Sequence, residues 1–171
     1  EAADRDVPDY NAFCLSTIDQ QGTPHGRIVL VRSIEHDAIH FFTNYASEKG
    51  EDLARNSACG ATFFWPQLER QVRLRGEAKH MSAADSDAYF VTRPRESQLG
   101  AWASDQSKNL GQKDLEREME SLRKHYENVE SIPRPPHWGG YRFTIRQAEF
   151  WQGRPSRLHH RVRYSLRDGR F

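Results

Sequence analysis

The first half of the chain is dominated by short apolar runs in which polar side chains alternate. Ala12 to Ile18 is such a run, and Asp19, Gln20, Gln21, Gly22 and Pro24 after it supply turn chemistry, so the pattern predicts a strand and a turn opening a meander. In Arg27 to Arg32 a period of two places Ile28, Leu30 and Arg32 on one face and Arg27, Val29 and Val31 on the other, which predicts a buried strand with a cation at each end. Ala38 to Thr43, Ala58 to Trp65 and Arg70 to Lys79 read as further strands. In the last, Val72, Leu74 and Gly76 face one way while Gln71, Arg73, Arg75, Glu77 and Lys79 face the other, so one face is wet or bound to something polar. Between these strands, Ser47 with Lys49 to Asn56 predicts a short helix, with Ser47 as N-cap and Leu53 and Ala54 as its apolar side.

The period lengthens after Lys79. Ser82 followed by Asp85 signals a capped helix start, and that helix is expected to stop by Arg93, because a proline disfavours helical geometry in the residue before it. Tyr89 and Arg93 then share a helix face. Leu115, Met119, Leu122 and Tyr126 define an amphipathic helix over Gln112 to Glu127, and Glu120 sits four residues before Lys124, as an intrahelical ion pair requires. Ile132 to Pro136 is a proline-rich connection to two apolar stretches, Tyr141 to Ile145 and Ala148 to Trp151, each too short to fold alone. Six or seven strands with a few helices outside them predict a mainly β fold, an antiparallel barrel or closed sheet with α additions.

Length and composition narrow the function classes. At 171 residues, the chain suits one domain, residues 1–171. A net charge of +1 from 25 basic and 24 acidic side chains argues against a general electrostatic grip on nucleic acid or an anionic membrane, so any anion is held by a local cluster. The apolar content of 36% with 11% aromatic residues fits a core completed by a partner subunit or a bound ring. Cys14 and Cys59 have no metal-ligand spacing and read as reduced core thiols, which points to the cytoplasm. No apolar run is long enough to span a bilayer as a helix. His25, His36, His40, His80, His125 and His137 are scattered without ligand spacing, so no metal site is expected.

Several side chains carry candidate chemistry. Tyr89, Arg93 and Ser97 can close on one phosphate monoester, which takes charge-assisted donors from several directions; taken alone they also read as a surface tyrosine, an arginine and a turn serine. Gln71, on the polar face of its strand, has an amide that can both donate to and accept from a ring edge, or bond across strands. Arg157 and His159, two apart, face one side if their segment is extended. Trp151 alone reads as core.

The run RPRESQLGAWASDQS at Arg93 to Ser107 joins these residues to wider text. RIVLVR at Arg27 to Arg32, FFTN at Phe41 to Asn44, LERQV at Leu68 to Val72, and EFWQG with RLH at Glu149 to His159 accompany it in order. In this the chain resembles the pyridoxine (pyridoxamine) 5′-phosphate oxidases, and the resemblance covers nearly its whole length. It implies an FMN-binding split β-barrel and oxidation of pyridoxamine or pyridoxine 5′-phosphate by oxygen to pyridoxal 5′-phosphate, with hydrogen peroxide released. It also implies a homodimer with FMN between the subunits. By the same resemblance Arg32, Tyr89, Arg93 and Ser97 hold the substrate phosphate, and Arg157 and His159 are the catalytic pair that positions the substrate ring. Arg27, Ile28, Val29, Leu30, Phe42, Thr43, Lys49, Gln71, Gln106, Ser107, Trp151 and Arg161 match FMN-binding positions. The chain departs from the family pattern in two places. Arg32 stands where lysine is usual, and Glu48 precedes Lys49 where an arginine is usual. A Glu48 carboxylate about 4 Å from the FMN phosphate would repel it by about 4 kcal/mol at an effective dielectric near 20, so Glu48 is expected to turn to solvent. Arg27 and Lys49 are then left to carry the charge. A related flavin oxidase acting on a phenazine precursor, or a binding protein without turnover, is the alternative.

Overall fold

The computed structural model describes residues 1–104 and 112–166. Eight strands form one sheet: β1 (Ala12–Ile18), β2 (Pro24–Leu30), β3 (Ser33–Ile34), β4 (Ala38–Asn44), β5 (Ala58–Trp65), β6 (Arg70–His80), β7 (Trp138–Gln152) and β8 (His160–Ser165). Their order is β2-β1-β5-β6-β7-β4-β3, with β8 also paired to β7. The β1–β2, β1–β5, β3–β4, β5–β6 and β7–β8 pairs are antiparallel. Four helices accompany the sheet: α1 (Glu48–Arg55), α2 (Ala83–Phe90), α3 (Arg95–Ala103) and α4 (Gln112–His125). The mainly β class with α additions is therefore the observed one.

Two compact units make up the chain. The first comprises residues 1–41, 52–79 and 142–171, and the second residues 42–51 and 80–141. In the first, Phe13, Leu15, Phe41, Phe63, Leu74 and Phe143 are buried, with Phe13 packed edge-on to Phe41 and tilted against Phe63. In the second, Phe90, Leu99, Ala101, Tyr126, Ile132 and Trp138 form a core against which Met119 and Leu122 of α4 pack. Met119, Leu122 and Tyr126 of the predicted stripe thus pack inward while Leu115, in the first turn, is exposed, and Glu120 meets Lys124 at 3.8 Å.

The differences from the sequence pattern are local. β2 begins at Pro24 and ends at Leu30, so Arg32 lies outside it and is exposed, its amide donating to the His40 carbonyl. Ile28, expected to be buried, is 67% exposed. In α1 Leu53 is buried but Ala54 is exposed, and the second buried side chain is Asp52. The two stretches near the C-terminal end are one strand of 15 residues, β7.

Candidate functional site

In the second unit, Ser82 caps α2 as its spacing predicts, its hydroxyl accepting from the Asp85 amide. The helix ends at Phe90, so Tyr89 and Arg93 do not share one helix face. They converge through a ring instead. The Arg93 guanidinium carbon lies 4.5 Å from the centre of the Trp138 ring, and Tyr89 is stacked on Phe42 at 3.8 Å and parallel to Trp138 at 6.3 Å. Pro94, read from sequence as a stop, is also a start. Its carbonyl accepts from the amides of Ser97 and Gln98, and α3 begins at the next residue, which puts Ser97 in a helical first turn rather than in a loop. Gln98 is buried and donates through its amide to the carbonyls of Arg93 and Val91. Sequence reasoning missed Gln98. Its one signal was an uncharged amide inside the run RPRESQLGAWASDQS.

The same unit holds a second cluster. Lys49 Nζ lies 3.0 Å from Ser47 Oγ and 3.3 Å from Thr43 Oγ1, and both hydroxyl residues are buried. The Ser47 hydroxyl itself donates to the Asn44 carbonyl at 2.7 Å. Glu48, next in sequence, is exposed.

The first unit gathers the remaining residues on β6, β7 and β8. LERQV and EFWQG meet here: the Arg70 guanidinium donates to the Gln152 amide oxygen at 2.6 Å, that amide donates to the Leu68 carbonyl, and the Gly153 amide donates to the Glu69 carbonyl. Beside this junction opens a cavity of about 410 Å³, lined among others by Trp65, Gln71, Val72, Trp151, His160 and Val162. A largely apolar wall that also carries the amides of Gln71 and Gln152 suits a flat heteroaromatic ring. His159 packs on Trp151 with ring centres 4.7 Å apart, and Arg161 is the cross-strand partner of Trp151. The structure thus brings Gln71, Trp151, His159 and Arg161 into one region. Arg157 is in the turn leading to it.

That turn is not extended, contrary to the expectation for Arg157 and His159. Pro155–Arg157 is a 3-10 turn in which Ser156 and Arg157 have φ of 58° and 60°. Left-handed backbone at two successive non-glycine residues costs about 1–2 kcal/mol each. A cost of that kind concentrated in one segment is a mark of functional loops. The Nδ1 of His159 accepts from the Arg154 amide at 3.2 Å, closing the turn on itself.

Glu149, the first residue of EFWQG, is a further residue that sequence reasoning did not single out. Its side chain is 6% exposed and faces Arg163 at 3.0 Å, Arg73 at 3.5 Å and Arg161 at 3.7 Å. The hydrogen bond from Arg163, helped by the charges of Arg161 and Arg73, holds its carboxyl below the usual range. A carboxyl depressed in the folded state contributes stability above its unfolded pKa and loses it as pH falls through the folded value. Glu149→Gln is therefore expected to melt at a lower temperature than the parent at neutral pH, with the gap closing as pH falls below the ordinary value of 4.5. Paired thermal melts along a pH series check this, and a gap that does not change with pH would show that the charge is not what Glu149 contributes.

Three of the residues expected to meet the cofactor, Arg27, Val29 and Leu30, are half-buried on β2, together with the exposed Ile28. Gln106 and Ser107 lie outside the described residues. Among the described residues no group of His, Cys, Asp and Glu is arranged to hold a metal ion. Among them too, no helix is long and apolar enough to cross a membrane. Cys14 and Cys59 are free and half-buried, and burial pushes the Cys59 thiol up to about 12, which keeps it protonated and inert.

Comparison with known proteins decides the family. Residues 1–130 match the family model described as pyridoxamine 5′-phosphate oxidase, and residues 138–170 match the pyridoxine 5′-phosphate oxidase C-terminal dimerisation region. The chain belongs to the pyridoxamine 5′-phosphate oxidase family. A pyridoxine/pyridoxamine 5′-phosphate oxidase of Synechocystis is 48% identical over 100% of this chain and 80% of its own length. One of Bordetella petrii is 51% identical over 96% of this chain and 77% of its own. Among solved structures, PhzG from Burkholderia lata, in complex with tetrahydrophenazine-1-carboxylic acid, superposes with a TM-score of 0.92 at 26% identity, covering 99% of this chain and 83% of that one. The sheet is accordingly the split barrel of this oxidase family.

Proposed function

We propose that the protein oxidises pyridoxamine 5′-phosphate or pyridoxine 5′-phosphate to pyridoxal 5′-phosphate, with FMN as resident cofactor and oxygen as final acceptor, and that it works as a homodimer. The observation that carries this reading is identity near one half to oxidases of that name along almost the whole chain. The dimerisation region at residues 138–170 supports the homodimer. The free cysteines suit a reducing compartment, in keeping with a cytoplasmic enzyme.

The residues present fit the cofactor: a largely apolar cavity lined by Gln71 and Trp151 for the flavin, and the Arg27 guanidinium, held by the buried Thr17 hydroxyl, for its phosphate. When bound, FMN supplies the hydride acceptor and the route to oxygen, with hydrogen peroxide as the reduced product. The protein's part is placement. Gln71 would meet the ring edge and Trp151 would flank the ring, with Arg161, the cross-strand partner of Trp151 and tied to Glu149, contributing charge beside it. Arg93 and Tyr89, set by Trp138 and Phe42, grip the substrate phosphate with Ser97, while Arg157 and His159 orient the reacting end of the substrate ring. Holding the donor carbon in one orientation removes much of the entropic barrier, so no strong base is required.

The test is production of pyridoxal 5′-phosphate from pyridoxamine 5′-phosphate in air, with and without added FMN. Turnover that requires FMN is expected. Its absence at saturating FMN, with flavin binding demonstrated, would overturn the reading in favour of another substrate such as a reduced phenazine carboxylic acid, the ligand class of the Burkholderia lata protein.

A further inference from the structure

β1 buries Phe13, Leu15 and Thr17 on one face, so Thr17, with 0% exposure, stands where an apolar side chain would serve packing better. α1 in the same way turns Asp52 inward, its side chain 4% exposed. These two misfits meet. The Thr17 hydroxyl donates to Asp52 Oδ2 at 2.6 Å and accepts from Arg27 Nη1 at 2.5 Å, so its single proton points at the carboxylate and a lone pair at the guanidinium. Arg27 Nη1 also donates to the His25 carbonyl at 3.0 Å, Nη2 lies 3.7 Å from Asp52 Oδ2, and His25 Nδ1 is 3.4 Å from the same oxygen.

A buried carboxylate and a buried hydroxyl with no packing advantage are retained at a cost of several kcal/mol unless their partners compensate. Here the partner shared by both is Arg27, with His25 also beside the carboxylate, and the Arg27 guanidinium is held by three groups from β1, β2 and α1. An arginine fixed in this way has lost its rotamer freedom before any ligand arrives, and a ligand then meets a fork that needs no further ordering. We propose that Thr17 and Asp52 are positioning residues that hold the Arg27 guanidinium ready for the phosphate of the flavin cofactor. This rests on the reading that Arg27 meets that phosphate. The carboxylate also subtracts charge from the site, so orientation and Coulomb attraction act in opposite directions, and the positioning role requires that orientation prevail.

The experiment compares FMN with riboflavin, which has the same ring and no phosphate, by quenching of flavin fluorescence on titration into flavin-free protein. Thr17→Val keeps the side-chain shape and removes the hydroxyl. It is expected to weaken FMN about tenfold, as loss of one hydrogen bond to a charged group does, while riboflavin binding stays within a factor of about two. Thr17→Ser, which keeps the hydroxyl, is expected to restore the parent ratio. Equal weakening of both flavins, or no weakening of either, overturns the proposal. Arg27→Met separates the two readings. If it leaves the FMN to riboflavin ratio unchanged, Arg27 does not meet the phosphate and the underlying assignment fails. If it lowers the ratio and Thr17→Val does not, only the positioning role fails. Should Thr17→Val not fold, Asp52→Asn is read by the same ratio, where a fall supports the proposal and an unchanged or raised ratio overturns it.

Discussion

Gly76→Ala is expected to cost about 3 kcal/mol or more of folding stability, a far larger effect than adding one methyl group usually has. A Cβ at Gly76 would stand 1.9 Å from the Thr144 carbonyl oxygen, 2.9 Å from its carbon and 3.1 Å from the edge of the Phe143 ring. The first two are backbone atoms of β7, which no rotamer change can move aside, so the new methyl would push β6 and β7 apart. Overpacking in a well-packed interior typically costs 1–3 kcal/mol and rises when relief requires backbone shifts. For a chain of this size that corresponds to a fall in melting temperature of roughly 6–12 °C. Gly100→Ala is the control, since nothing lies within 4 Å of its Cβ and it is inside α3, where alanine is preferred by about 1 kcal/mol. Thermal melts of the two variants check the contrast, and a Gly76→Ala melt within about 2 °C of the parent would show that β7 does not approach this closely in solution. The consequence reaches the site, because β6 carries Gln71 and β7 carries Trp151, and the spacing of these strands sets the width of the cavity both residues line.

Where a strand is covered on one side and wet on the other, its limits were legible from alternation. β1 and β5 run over the residues their patterns indicate, and β6 differs only at His80. Alternation does not say what covers a face, which is why Ile28 reads as buried but stands 67% exposed. Proline was read in one direction only. Pro94 stops α2 through its ring, but its carbonyl also opens α3 by accepting two amides, and a pattern that treats proline as a breaker has no way to register the second effect. The Arg157 to His159 segment was misread for a related reason: left-handed backbone is signalled by glycine, and here serine and arginine adopt it. Candidate site residues were legible only through the family resemblance. Those that support them, Asp52 with Thr17 and Glu149 with its arginines, were not. Asp52 finds Thr17 across 35 residues and Glu149 finds Arg73 across 76, and no local spacing encodes such pairs.

Arg93→Met is expected to raise the KM for pyridoxamine 5′-phosphate about a hundredfold while leaving the far poorer turnover of unphosphorylated pyridoxamine nearly unchanged. Methionine keeps an unbranched stem to lie on Trp138, so the ring packing that Arg93 gives, with its guanidinium carbon 4.5 Å from that ring centre, is largely conserved. What is lost is the charged fork. A hydrogen bond from a charged donor contributes about 1.5–3 kcal/mol, and loss of a paired fork on one phosphate is expected near the top of that range, which is roughly 10² in affinity. Gln98 continues to hold the Arg93 carbonyl in the variant, since it bonds the backbone and not the side chain, so the turn that sets Tyr89 and Ser97 is unaffected. Arg93→Lys separates charge from geometry: a point charge in the same place recovers part of the affinity but not the planar two-bond contact, so its KM lies between the two. Steady-state kinetics with both substrates check this. Were both substrates to lose affinity equally, Arg93 would be acting through the Trp138 packing and not on the phosphate. Were neither to change, the anion would be held elsewhere, with Arg32 the next residue to replace.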